Sequence, residues 1–158
     1  MVLDTGATAW VLISAALVLL MVPAVGLFYG GMVRRKNVIS TMMLSFVSLA
    51  LGIVQWIIIG YTLAFGGDVA GLIGSLEFLG LSGIPFDGVT NGIPDILFVC
   101  FQMMFACLAL AILTSGLVGR VKLSSYIVFG LLWLTLVYAP LAHWAWGGGW
   151  ASQLGALD

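Results

Sequence analysis

Residues 6–33 read GATAWVLISAALVLLMVPAVGLFYGGMV, and Arg34-Arg35-Lys36 follow at once. No charged side chain interrupts the run, and 18 or more mainly apolar residues suffice for a helix that crosses the hydrocarbon of a bilayer. A basic triplet at the end of such a run marks its exit into water. The run is no secretory leader: it has no basic n-region, Asp4 precedes it, and it is longer than the apolar core of a leader. It is therefore expected to stay in the mature chain.

Outward from this stretch, three further runs meet the same rule, over residues 38–65, 93–118 and 123–146. Composition agrees, with 63% of the 158 residues hydrophobic and only 7% charged, against about 25% charged in a soluble domain. The fold class this implies is an all-α membrane protein with four complete transmembrane helices. Disorder is excluded by the apolar content, and no repeat of solenoid length recurs. Six acids against five bases leave a net charge of −1, so no basic face exists to hold nucleic acid. The bilayer is the partner that composition names.

The charges also give a direction. All five bases, Arg34, Arg35, Lys36, Arg120 and Lys122, fall between the first and second runs or between the third and fourth. The acids fall in the other connections or at the ends facing that side. The positive-inside rule then makes the basic side cytoplasmic and puts the N-terminus outside. Residues 66–92 hold eight of the 21 glycines and Pro85, which reads as an outer loop with a short interfacial helix near Leu72–Leu81. The whole chain, 1–158, reads as one domain.

Cys100 and Cys107 lie seven residues apart, two helical turns or about 10 Å of rise, which a disulfide cannot span. They read as small packing residues, and neither a metal nor a cofactor is implied. No run carries paired carboxylates, a histidine cluster or a serine with a base, so no catalytic residue is assigned and no enzyme is expected.

Several residues inside the runs carry two readings. Pro23, with Gly26, Gly30 and Gly31 after it, either packs helices closely or kinks one to widen a cavity. Phe101 and Phe105 are four apart and share a helix face; they form a packing stripe or a cation-binding and gating element. Gln102 between them needs a hydrogen-bond partner, which favours a protein-facing position. Trp144, Trp146 and Trp150 suit an aromatic belt at a membrane end, whereas Gly147-Gly148-Gly149 suit tight turns beside a large ring, as in a vestibule wall. His143, the single histidine, has no acid near it in the sequence and reads as a structural hydrogen-bonding residue rather than a metal or catalytic one.

Longer stretches carry a resemblance. VPAVGLFYGGMVRRKN (22–37), FQMMFA (101–106), WLTLVYAPLAHWAWGGGW (133–150) and GALD (155–158) are similar to the Amt/Rh ammonium transporters, closest to their bacterial and archaeal Amt branch. The resemblance spans nearly the whole chain apart from the outer loop at 67–94. It implies eleven helices, the first five and the next five forming inverted repeats, assembled as a homotrimer with one pore per subunit. This chain would hold the first four helices and the start of the fifth, an incomplete transporter not expected to conduct alone.

By the same resemblance, Trp146 and Phe105 would bind ammonium at an outer recruitment site with help from Phe101. Phe105 would form half of a phenylalanine gate, and Asp158 would support the site from the fifth helix. Gln102 and His143 would be structural supports. The second gate phenylalanine, a recruitment serine and the paired pore histidines would lie beyond Asp158, and His143 is not one of that pair. A PII-type regulatory protein is the partner the resemblance suggests, and the cell membrane the location. Where the family usually has Ala-Glu-Arg after its third helix, this chain reads Val118-Gly119-Arg120, without the acid. The function implied is ammonium transport; an ammonium sensor or a non-conducting assembly subunit with the same half-fold is the alternative.

Overall fold

The computed structural model of the chain describes residues 2–156, so Asp158 lies outside the described residues. Asp4 starts the first helix, α1 (Thr5–Met32): its Oδ1 accepts the Ala7 N–H at 3.0 Å, and its carbonyl accepts the Thr8 hydroxyl at 2.7 Å. An aspartate here satisfies a backbone donor that the helix leaves open. The 28 residues of α1 rise about 42 Å, more than the roughly 30 Å of hydrocarbon. Pro23 lies within α1 without ending it.

A 3-10 turn, Arg35–Asn37, leads into α2 (Val38–Gln55), a π turn (Trp56–Gly60) and α3 (Tyr61–Phe65), which together form the second span. The loop after it holds two small hairpins, β1 (Asp68–Val69) with β2 (Ile73–Gly74) and β3 (Val89–Thr90) with β4 (Ile93–Pro94), and a 3-10 turn at Leu79–Leu81. Both pairs are antiparallel, with Val69 opposite Ile73 and Thr90 opposite Ile93. The second hairpin turns on Asn91-Gly92 with φ of 54° and 82°, the left-handed geometry of a two-residue turn. The helix expected near Leu72–Leu81 does not form. Ile73–Gly74 pair as a strand instead, and Gly80 and Leu81 have positive φ, which a right-handed helix cannot contain.

The third span is α4 (Asp95–Leu113) with a 3-10 turn at Thr114–Gly116. It begins two residues later than the apolar run at 93, because Ile93 and the extended Pro94 are spent on β4. The fourth comprises α5 (Leu123–Trp133), a π turn (Leu134–Tyr138) and α6 (Ala139–Ala145), and α7 (Trp150–Gln153) follows. Pro140 explains that π turn: it has no N–H for the carbonyl four residues back and its ring crowds that carbonyl, so a wider turn relieves both. Among the described residues, four helical segments are thus long and apolar enough to cross a bilayer, and the chain is an all-α membrane protein.

The described residues group into two compact units, one of residues up to Ile53 with Pro85–Gly130, the other of Val54–Ile84 with residues from Leu131 on. In the first, α1 lies along α4, and Val18 and Val22 pack with Met104, Cys107, Leu108 and Ala111. Tyr126 is fully buried, its hydroxyl shared with Ser48 Oγ and directed to the Leu110 carbonyl at 3.3 Å. In the second, α3 packs on α6, and Trp56 is 1% exposed, with Tyr61, Phe65 and Tyr138 rings 6.1–6.2 Å away. Gln55 Nε2 donates to Thr135 Oγ1 at 3.1 Å, joining the end of α2 to the π turn of the fourth span.

Small residues set the helix spacing, as the membrane favours. A Cβ on Gly52 would lie 2.9 Å from Cys107 Cα, and one on Gly26 would lie 2.9 Å from Ser45 Cβ, whereas one on Gly31 would meet nothing within 4 Å. Gly52→Ala is therefore expected to cost about 1–3 kcal/mol through overpacking. Gly31→Ala should be neutral or stabilising by up to about 1 kcal/mol. Unfolding both variants in mixed micelles separates them; equal effects would mean that the α2–α4 crossing is not close-packed at Gly52.

Candidate functional site

In the first unit, α4 carries the two phenylalanines four residues apart and so on one face. Their ring centroids are 5.0 Å apart at 79°, an edge-to-face pair. Both rings are half-buried, and Phe105 also packs against the Val18–Val22 core, which limits its freedom to swing. An edge-to-face pair leaves a negative ring face available to a cation, an attraction of about 0.5–2 kcal/mol that grows as water is removed. Gln102 beside them is half-buried, and its side chain makes no hydrogen bond with the described residues.

In the second unit, α6 ends at Trp146, whose N–H bonds to the Ala142 carbonyl at 2.8 Å while its ring stays 41% exposed. Its neighbours are more tied down. The Trp144 ring lies 5.7 Å from Trp150, and its Nε1 donates to the Leu72 carbonyl at 2.7 Å. The three glycines allow this crowding: a Cβ on Gly149 would lie 2.8 Å from Trp144 Cα and 3.0 Å from the Gly71 carbonyl, the same carbonyl that accepts the Trp150 N–H. Gly148, at φ 87°, supplies the left-handed residue of the turn.

His143 is completely buried. Its Nδ1 is 2.9 Å from the Ala64 carbonyl and its Nε2 is 2.9 Å from Asp68 Oδ1, so it fastens α6 to the end of the second span and to β1. The absence of an acid near His143 in the sequence is corrected here, because the hairpin brings Asp68 back across 75 positions. Both partners are acceptors, so whichever ring nitrogen carries a proton finds one of them in place. Asp68 is the residue sequence reasoning missed; its only signal was Gly66-Gly67 before it, which lets the chain reverse.

The Asp68 side chain is 35% exposed, and its carboxyl is held below the usual carboxylate range, first by the hydrogen bond from His143, against desolvation acting the other way, and also by the Gly71 N–H. A lowered carboxyl pKa stabilises the folded form above the unfolded value of about 3.9, and that stability is lost as the pH falls further, through the folded value. Amide exchange protection in residues 68–74 is therefore expected to fall as the pH drops below about 4. In Asp68→Asn this pH dependence should disappear; if it persists there, another group is responsible.

The structure thus brings Phe101 to Phe105 and His143 to Asp68, and it leaves Trp146 as an exposed ring at a helix end. Comparison with known proteins follows the same lines. The sequence profile of the Ammonium Transporter Family matches residues 9–158. The ammonium transporter Amt1 of Archaeoglobus fulgidus is 52% identical over 156 residues, covering 99% of this chain and 38% of its own. The crystal structure of Candida albicans Mep2 superposes with a TM-score of 0.90 at 35% identity, over 99% of this chain and 35% of that one. A solved sensor Amt protein superposes at 0.82 with 26% identity, over 93% of this chain and 37% of its own. The chain spans less than two-fifths of the length of these relatives. With the profile matching nearly all of it, the chain belongs to the Ammonium Transporter Family.

Proposed function

We propose that the chain is the part of an ammonium transporter that receives ammonium at an outer aromatic site and passes it to a hydrophobic pore. The family match over residues 9–158 carries this reading, and the edge-to-face Phe101–Phe105 pair supplies its chemistry. In it, Trp146 and Phe105 offer ring faces to the cation with help from the Phe101 ring, and Phe105 is also half of the gate below that site. Gln102 and His143 are supports, and Asp158 is a further support from the segment after α7. Charged ammonium loses hydration on entering a dry pore, which favours passage as neutral ammonia with its proton carried separately. Potassium has no proton to release and is refused.

The transporter reading places the chain in the cell membrane with its N-terminus outside, in a homotrimer when full length, with a PII-type protein as regulator. Its test is reconstitution of the chain with the remainder of the archaeal relative in proteoliposomes. Ammonium-driven flux that Phe105→Ala alters is the expected result; a folded assembly without flux would sink the transporter reading. That last outcome with ammonium binding intact is what a sensor would give, a second reading that the likeness to the sensor Amt protein favours.

Orientation has its own test. Single cysteines at Gly83 and Ser152 are expected to react with an impermeant label in intact cells, and one at Asn37 only after permeabilisation. Labelling of Asn37 in intact cells would reverse the assigned direction.

A further inference from the structure

His143 is held at both ends. Its ring lies between the Ala64 carbonyl and the Asp68 carboxylate, each at 2.9 Å, and its own carbonyl accepts the N–H groups of Gly147 and Gly149 at 3.0 Å. The turn that carries Trp146 is therefore folded over the backbone of a residue whose side chain another segment fixes. That segment is the β1–β2 hairpin. Asp68 also accepts the Gly71 N–H at 3.0 Å, so its carboxylate is tied into the hairpin while it faces His143.

Two further bonds join the same partners. The Gly71 carbonyl accepts the Trp150 N–H at 3.0 Å, and the Leu72 carbonyl accepts the Trp144 Nε1–H at 2.7 Å. Hairpin and turn thus meet at residues 143, 144 and 150, which bracket Trp146, and all of them belong to one compact unit. Trp146 is tied only through its backbone, by the N–H bond to the Ala142 carbonyl. Among the described residues its ring has no hydrogen bond and no aromatic partner. Such a ring takes its place from the turn beneath it.

We propose that Asp68 is a positioning residue for Trp146: its carboxylate fixes His143, and His143 fixes the level and direction at which the Trp146 ring meets the cation. This role rests on the reading of Trp146 as a cation-binding ring. A cation is attracted by the face of a ring and repelled by its edge, so a tilt of the turn weakens recruitment. Passage below the site uses other residues and is untouched. The rival role for Asp68 is a plain negative charge that draws ammonium in, with no part for His143.

Asp68 variants separate position from charge. Flux is measured in the reconstituted transporter, and fluorine NMR in the chain itself, in detergent and carrying 5-fluorotryptophan, where the Trp146 resonance is the one lost in Trp146→Leu. Asp68→Ala is expected to shift and broaden that resonance and leave Trp10, in the other unit, unmoved. It should raise the half-saturating ammonium concentration about fivefold at unchanged maximal flux, the effect of one lost hydrogen bond. Asp68→Asn removes the charge but keeps an oxygen facing His143, so the resonance should stay and the half-saturating concentration should change by less than about twofold. Asp68→Glu is the second disrupting variant if alanine lowers expression; it keeps the charge, moves the carboxylate by a methylene, and is expected to behave as Asp68→Ala does. Equal losses in Asp68→Asn and Asp68→Ala would make charge the contribution and overturn the proposal. So would a Trp146 resonance that neither disrupting variant moves. If Trp146→Leu leaves ammonium recruitment unchanged, the recruitment reading fails by itself, and the resonance still decides whether Asp68 positions the ring.

Discussion

Gly147→Ala is expected to unfold the C-terminal end of the fourth span. A Cβ at this position would run into the Ala64 carbonyl oxygen and come within 2.6 Å of His143 Nδ1 and 2.9 Å of His143 Cα. Two of these atoms are backbone and cannot swing away. Relief requires breaking the His143–Ala64 hydrogen bond, which leaves a buried ring nitrogen and a carbonyl without partners at about 1–3 kcal/mol each. Overpacking adds about 1–3 kcal/mol, so the total is on the order of 3–9 kcal/mol, reaching the exceptional range for a single substitution. Gly148→Ala is the comparison: a Cβ there meets nothing within 4 Å, and only the strain of φ 87° remains, about 1–2 kcal/mol. Thermal unfolding in detergent should rank the two far apart. Equal losses would show that the turn yields as a whole and that the close approach at Gly147 is unimportant.

The second large effect concerns binding rather than folding. Trp146→Leu, made in a transport-competent assembly, is expected to weaken ammonium recruitment about tenfold, because leucine replaces volume but not the ring quadrupole. The cost to stability should be small, since the ring is 41% exposed and its backbone cap does not depend on the side chain. Concentration dependence of ammonium-driven flux measures this directly. An unchanged half-saturating concentration with normal assembly would return Trp146 to the role of a membrane-interface anchor, alongside the tethered Trp144.

The four spans were legible because each is an unbroken apolar run bounded by glycine or charge, and hydrophobic length alone decides a crossing. The Phe101–Phe105 pair was legible for a similar reason, since a spacing of four on a helix dictates adjacency. The His143–Asp68 contact was not, because it depends on a hairpin reversing the chain 75 positions away. Asn91-Gly92 did carry a readable hairpin signal, hidden by the general glycine content of the loop. Neither π turn was foreseen. Pro140 marks the one in the fourth span, but Trp56-Ile57-Ile58-Ile59-Gly60 reads as ordinary apolar helix, and the polar contact that fixes its level, Gln55 with Thr135, joins residues 80 apart.

Those paired π turns change how length variation in this chain must be read. Each holds one more residue than an α-helical turn, and both occur at the level where Gln55 meets Thr135. Removing a single residue from one of them would restore regular helix while leaving Tyr61 or His143 at nearly the same azimuth and height, because the wide turn and the α-helical turn that replaces it sweep nearly the same angle. The same deletion in the α-helical part of a span would rotate everything beyond it by about 100°. A one-residue gap at either π turn is therefore silent in phase, and sequences that differ by it there share a helical wheel on both sides of Gln55 and Thr135.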